Sequence, residues 1–277
     1  MTLKSKGQGV PPLAVRQLLE MLTYRRPAGS RTEADFVRRY IVPTGATPDG
    51  HGNYWLTVGD SPILWSCHTD TVHRTDGIQR IEYGDWIASV AAGRRDCLGA
   101  DDTAGVWIML QMIRAKLPGV YVFHRNEEIG GLGSAYIAEH ERDRLLPMRC
   151  AIAFDRRGYG DVITHQCFHT ASNEFAESVA SLLHPLNYSP CDLGIFTDTA
   201  NYSEIIGECS NLSVGYFNAH TTDEYLDIQH VQALAKAVIR ADWSRLIYAR
   251  QPATEDYSGK FTWHGSNRDD DKLFSYI

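Results

Sequence analysis

No stretch of the 277-residue chain stays apolar for the length that crosses a bilayer. The opening MTLKSKGQGVPPLAV has no apolar core of signal-peptide length. The expectation is a cytoplasmic protein with no membrane partner. Basic charge is scarce as well. Lys and Arg number 27 against 34 Asp and Glu, a formal net charge of −7, and they are spread too thinly to build the basic face that a phosphate backbone needs. This argues against nucleic acid as a partner. The six cysteines, Cys67, Cys97, Cys150, Cys167, Cys191 and Cys209, include no CxxC pair, a pattern that suits reduced thiols better than a disulfide frame or a thiolate zinc site. Any metal must then be held by nitrogen and oxygen. Internal repeats and low-complexity blocks are missing too. The balance is ordinary for a globular chain, with 43% hydrophobic and 22% charged residues, enough for one large domain or two small ones.

Periodicity divides the chain. Apolar residues at helical spacing over 13–22 and 36–41 predict two opening helices, followed by strands NYWLTV and PILWSC. IQRIEYGDWIASV reads as a hairpin with Gly84 and Asp85 at its turn. Strand and helix then alternate: a helix over about 103–116, strand GVYVFH, a helix over about 134–144 and strand RCAIAF. A helix near 173–183, strand NLSVGYF and a long closing helix over about 228–248 follow. The pattern predicts an α/β fold, a mostly parallel sheet with helices on both faces, and places any site at the strand ends. QPATEDYSGKFTWHGSNRDDDKLFSYI loses helical period and reads as a tail over 252–277 after a single domain over 1–251.

Four strands run out into metal-type ligands. ILWSCHTD ends in His68 and Asp70, YVFHRNEE in Glu127 and Glu128, CAIAFD in Asp155, and NLSVGYFNAH reaches His220; Asp101 and Asp102 lie in CLGADDTAG, where a loop turns into a helix. One acid after a strand is most simply a solvated loop residue. Five such places together, with two His, several carboxylates and no Cys, form a set that zinc accepts and in which carboxylates can bridge two ions. Adjacent glutamates raise each other's pKa unless a cation neutralises one of them. On extended backbone His68 and Asp70 share a side, so Asp70 can take the imidazole proton that faces away from a metal. Glu127 and Glu128 point apart at a strand end, so one can bind metal while the other serves as a base.

HTD at 68–70, GADDTAG at 99–105, NEEIGGLGS at 126–134, AFD at 153–155 and FTDTANYSEIIGECSNLSVGYFNAHTTDE at 196–224 together resemble the co-catalytic di-zinc exopeptidases, a superfamily that includes zinc aminopeptidases, peptidase T, carboxypeptidases and acyl-amino-acid deacylases. The resemblance implies a three-layer α/β/α fold with a mixed, mostly parallel central sheet and two Zn2+ ions, with Co2+ or Mn2+ as substitutes. It implies His68 and Asp155 on one ion, Glu128 and His220 on the other, and Asp101 bridging them. Asp70 would orient His68, and Glu127 would be the general base acting on a metal-bridging water. It also implies a cis bond between Asp101 and Asp102. Relatives with a lid insert it between the positions matching Asp155 and His220. Only residues 156–219 lie there in this chain, too few for a lid domain, so a bare catalytic domain is expected, its cleft left to the tail or to a neighbouring subunit of a homo-oligomer.

The activity implied is hydrolysis of an amide in a small peptide. Aminopeptidase action is favoured because Asp198, Asp223 and Glu224 are candidate anions for a substrate ammonium. The alternatives are a carboxypeptidase or a deacylase acting on an acylated amino acid, for which Arg156 or Arg157 could grip a carboxylate. His165 is a further candidate for lining the cleft, and Asp198 could equally be a helix N-cap. A catalytically inactive binding module is the remote rival, since no ligand of the set is missing.

Overall fold

The computed structural model describes residues 12–93 and 96–252; the tail expected over 252–277 lies outside the described residues from 253 onward. The main elements in chain order are α1 (Leu13–Met21), α2 (Arg31–Tyr40), β1 (Thr47–Pro48), β2 (Tyr54–Val58), β3 (Ile63–His68), β4 (Ile81–Gly84), β5 (Ile87–Val90), α3 (Ala100–Arg114), β6 (Gly119–His124) and α4 (Leu132–His140). They continue with β7 (Cys150–Arg156), β8 (Asp161–Ile163), α5 (Asn173–Leu182), β9 (Ser189–Cys191), β10 (Glu208–Ser213), β11 (Tyr216–Phe217), β12 (Tyr225–Asp227) and α6 (Ile228–Arg240).

Eight strands form one sheet in the order β9-β8-β10-β7-β3-β6-β2-β1. Its four central strands, β10, β7, β3 and β6, are parallel neighbours, and β2 adds antiparallel to β6. Parallel neighbours cannot be joined by tight turns, so the chain crosses over through helices, and both faces of the sheet become buried. The pleat shows this directly. Trp65, Tyr121, Phe123, Ile152 and Phe154 point into one core with α1, α3 and α6, while Leu64, Val122 and Ala151 point into a second core with Ile137 of α4 and Tyr202. The result is the expected three-layer α/β/α arrangement. β11, β12, β5 and β4 form a separate four-stranded antiparallel sheet.

Three boundaries differ from the sequence expectation. NLSVGYF is not one strand: the chain leaves the main sheet after Ser213 and joins the small sheet at Tyr216, with Gly215 in a left-handed conformation between them. The closing helix ends at Arg240, not near 248, and a short 3-10 turn follows at Trp243–Arg245. The edge strand β9 and its neighbour β8 have three residues each, too short for period-2 alternation to register. The hairpin forms with its turn one residue later than the expected Gly84 and Asp85, at Asp85 and Trp86, both at positive φ. Among the described residues no helix is long and apolar enough to cross a membrane.

Candidate active site

The parallel strands β3, β6 and β7 end at one edge of the sheet and deliver His68, the Glu127–Glu128 pair and Asp155 to it. Asp101 arrives from the start of α3, and His220 from the loop after β11. Asp101 is the hub. Its Oδ1 lies 3.0 Å from His68 Nε2 and its Oδ2 lies 3.3 Å from His220 Nε2. His68 Nε2 is also 3.6 Å from Asp155 Oδ1, and His220 Nε2 is 3.2 Å from Glu128 Oε2. One carboxylate therefore faces two histidines, each of which has a second acid beside it.

The support is specific. Gly105 of the GADDTAG segment is needed because a Cβ there would meet Phe154 O at 2.3 Å and the Asp102 carboxylate at 2.5 Å. That close approach lets Asp102 turn inward, where it accepts from Gly105 N and from His68 N at 3.2 Å. The Asp101–Asp102 bond is cis. Tyr216 donates to Asp155 Oδ1, and Asn211 bonds both the N–H and the carbonyl of Asp155. Asp70 contacts His68 Nδ1 through its main-chain carbonyl at 3.1 Å, with its carboxylate at 3.6 Å. Both carboxylate oxygens of Asp70 accept instead from the N–H groups of Glu127 and Glu128, each at 3.1 Å. Asp70 thus fixes the glutamate turn as well as the histidine.

Charge in this basin is unbalanced. Asp155 is pushed up to about 7 by burial and by Asp101, and Glu127 is raised well above the carboxylate range by burial and by neighbouring acids including Asp155. Hydrogen bonds donated by His220 to Asp101 and Glu128 drive its imidazole up to about 11. Burial disfavours charge on His68, but Asp101 and Asp155 outweigh it and raise the imidazole well above its ordinary value. The imidazoles are thus pushed to serve as the cations among the acids. Glu128 Oε1 is buried with no hydrogen-bond partner among the described residues, an orphan acceptor of the kind a cation satisfies. His68, Asp101 and Glu128 bring donor atoms within 4.8 Å of one another, as do His68, Asp102 and Asp155. Nitrogen and oxygen donors without thiolate, arranged around a shared carboxylate, fit zinc chemistry.

Other expected site residues are placed differently. Glu224 is not an ammonium acceptor. It is 1% exposed, and its two oxygens accept from the N–H groups of Leu98, Gly99, Ala100 and Asp101. Asp198 is not a side-chain N-cap and is not open to substrate: it is 3% exposed and lies 3.2 Å from Nδ1 of His124. His124 is wholly buried, with Nε2 2.5 Å from the Tyr202 hydroxyl. Arg156 is committed to Asp161 at 3.1 Å and to the Leu193 carbonyl at 2.9 Å, which removes it as a free carboxylate grip. The His165 ring lies tilted against His169, centroids 5.0 Å apart, and pairs with Thr164. The sequence reading missed an apolar rim: Ile129, Leu132, Leu193, Ile195 and Phe196 are exposed, and Phe196 packs within 3.7 Å of the Cβ position of Gly131, three residues past Glu128.

Residues 53–203, more than half of the chain, match peptidase family M28. The chain belongs to that family. The matched span holds His68, Asp70, Asp101, Glu127, Glu128 and Asp155, while His220 and Glu224 fall beyond it. No curated protein matches the M28 chain significantly in sequence. Solved structures with the same fold include a tripeptidase from Staphylococcus aureus, 15% identical with a TM-score of 0.68, covering 82% of this chain and 96% of that one. Aminopeptidase PepT from Bacillus cereus is also 15% identical, with a TM-score of 0.62 over 82% and 96% of the two chains. The Pyrococcus horikoshii TET1 peptidase, which can assemble into a tetrahedron or a large octahedral shell, is 16% identical with a TM-score of 0.60 over 82% and 98%. At such identities the likeness speaks for the fold, and the family match for a peptidase.

Proposed function

We propose that this M28 peptidase is a dinuclear zinc aminopeptidase that removes the N-terminal residue of short peptides, working as a single lidless catalytic domain in the cytoplasm. The observation that carries the reading is Asp101, whose two oxygens each face one histidine, as a carboxylate shared between two ions would. His68 and Asp155 would hold one ion, Glu128 and His220 the other, and Co2+ or Mn2+ could replace zinc. Bound there, the ions supply Lewis acidity, which acidifies water and polarises a carbonyl.

The chain's own residues do the rest. Glu127, its carboxyl raised by burial and neighbouring acids, accepts the proton of the attacking water and returns it to the leaving nitrogen, the work of a general base. Asp70 holds the Glu127 and Glu128 main chain still through two hydrogen bonds. The rim of Ile129, Ile195 and Phe196 offers apolar surface to a substrate side chain. A surplus of acids and the engagement of Arg156 favour an ammonium over a carboxylate at this end of the cleft. Four forms of one dipeptide test it: free, amine-acetylated, carboxyl-amidated and doubly blocked. Cleavage should be lost on acetylation and kept on amidation. The reverse pattern would replace the reading with a carboxypeptidase or deacylase.

A further inference from the structure

Arg26 lies outside the span matched to the family and carries none of the sequence motifs, yet it sits directly beneath the centre. It is 0% exposed, and its guanidinium lies 4.0 Å from the ring centroid of the buried Phe36. Nε donates to the carbonyl of Thr69 at 2.7 Å, and Nη2 donates to Thr103 Oγ1 at 2.9 Å. Nη1 is buried with no partner among the described residues. Backbone contacts pin the same residue: Arg26 N–H donates to Thr71 Oγ1, and Thr71 N–H donates to the Arg26 carbonyl. Thr69 stands between His68 and Asp70, and Thr103 follows Asp102 and donates in turn to Gly99 O. One rigid fork thus spans the two segments whose separation sets the 3.0 Å approach of His68 to Asp101. Burying a guanidinium against neutral acceptors is costly. A lysine has no second prong, so it could not make both bonds in this geometry.

We propose that Arg26 is the positioning residue of the metal centre, holding the His68–Asp70 turn against the Asp101–Thr103 corner in the register that metal binding requires. This rests on the dinuclear reading above. Groups behind metal ligands usually change affinity by about 10- to 100-fold when removed, and that is the loss expected for Arg26→Lys and Arg26→Met. The measurements use the full chain: zinc affinity by competition with a chromophoric chelator, and the visible spectrum of the Co2+-loaded protein, which reports ligand geometry. Thr103→Val removes one prong's acceptor and leaves the charge, so it should give a smaller loss in the same direction, and it keeps the test open if the Arg26 variants fail to fold. Glu208→Gln is the stability control. Glu208 accepts from Ser172, Ala249 and Arg250 at the opposite end of the parallel strands, so it should lower the melting temperature without moving zinc affinity or the Co2+ spectrum. Arg26→Lys within about 2-fold of wild-type affinity with an unchanged spectrum would overturn the inference and leave the dinuclear reading standing. So would a Glu208→Gln loss of equal size. Wild-type protein that binds no metal would remove both.

Discussion

Glu224→Gln separates a substrate-binding glutamate from a structural clamp. Gln keeps the length and shape of the side chain but only one acceptor oxygen. In the native protein Oε2 serves Leu98 and Gly99, and Oε1 serves Ala100 and Asp101. Whichever way the amide turns, two of the four N–H groups lose their acceptor and face an NH2. Hydrogen bonds to a charged group contribute about 1.5–3 kcal/mol each, and the stranded donors are buried, so the substitution should cost roughly 3–6 kcal/mol. At about 2–4 °C per kcal/mol for a large domain, the melting temperature should fall by at least ~6 °C. The released segment carries Asp101, so zinc content at limiting metal should fall with it. Thermal unfolding of metal-free protein and metal analysis after reconstitution read the two effects separately. A melting temperature within about 1 °C of wild type, combined with full zinc occupancy and a raised KM, would refute the clamp and return Glu224 to the substrate site.

Glu127→Gln should retain metal while turnover falls by roughly 10² to 10⁴, the usual range for a lost general base, whereas Glu128→Ala should lose occupancy at one ion; metal analysis beside kinetics checks both, and the opposite pattern would exchange the roles. Asp101→Ala should lose both ions, because its oxygens face both histidines; retention of one tightly bound ion would show that the carboxylate is not shared. Thiol titration of native protein should find Cys167 fast and Cys191 slower, with Cys67, Cys97, Cys150 and Cys209 reacting only on unfolding, since these four are buried and all six are free. Fast reaction of three or more thiols would contradict the packing.

Most of the candidate ligands were legible because a local rule places them at the sheet edge: a strand of continuous apolar residues stops, and polar residues follow it there. That is why His68, Glu127, Glu128 and Asp155 could be read from ILWSC, YVFH and CAIAF. It failed where a role depends on long-range partners. Glu224 looks like a loop acid because nothing near it in sequence says that its carboxylate closes on residues 98–101. Asp198 looks like an N-cap because its true neighbour, His124, is 74 residues away in the chain. Arg26 falls between the two opening helices, and only the fold brings it under Thr69 and Thr103.

On the dinuclear reading, these long-range contacts would tie folding to metal affinity. Asp70, Asp101, Asp102, Glu127, Glu128 and Asp155 crowd one partly buried basin, where burial first, and neighbouring acids after it, push Asp155 and Glu127 above the ordinary carboxylate range. Contacts that hold the acids together, such as Arg26 on Thr69, Glu224 on Asp101 N and Asp70 on the glutamate turn, stabilise the metal-free fold against that crowding and would contribute affinity by placing the acids before an ion binds. A ligand bound only by the native state stabilises it in proportion to the logarithm of its concentration over Kd. Zinc should therefore raise the melting temperature of wild-type protein by more than it raises that of Asp101→Ala, with the difference growing as zinc is titrated. Equal shifts in the two proteins would mean that the metal binds elsewhere.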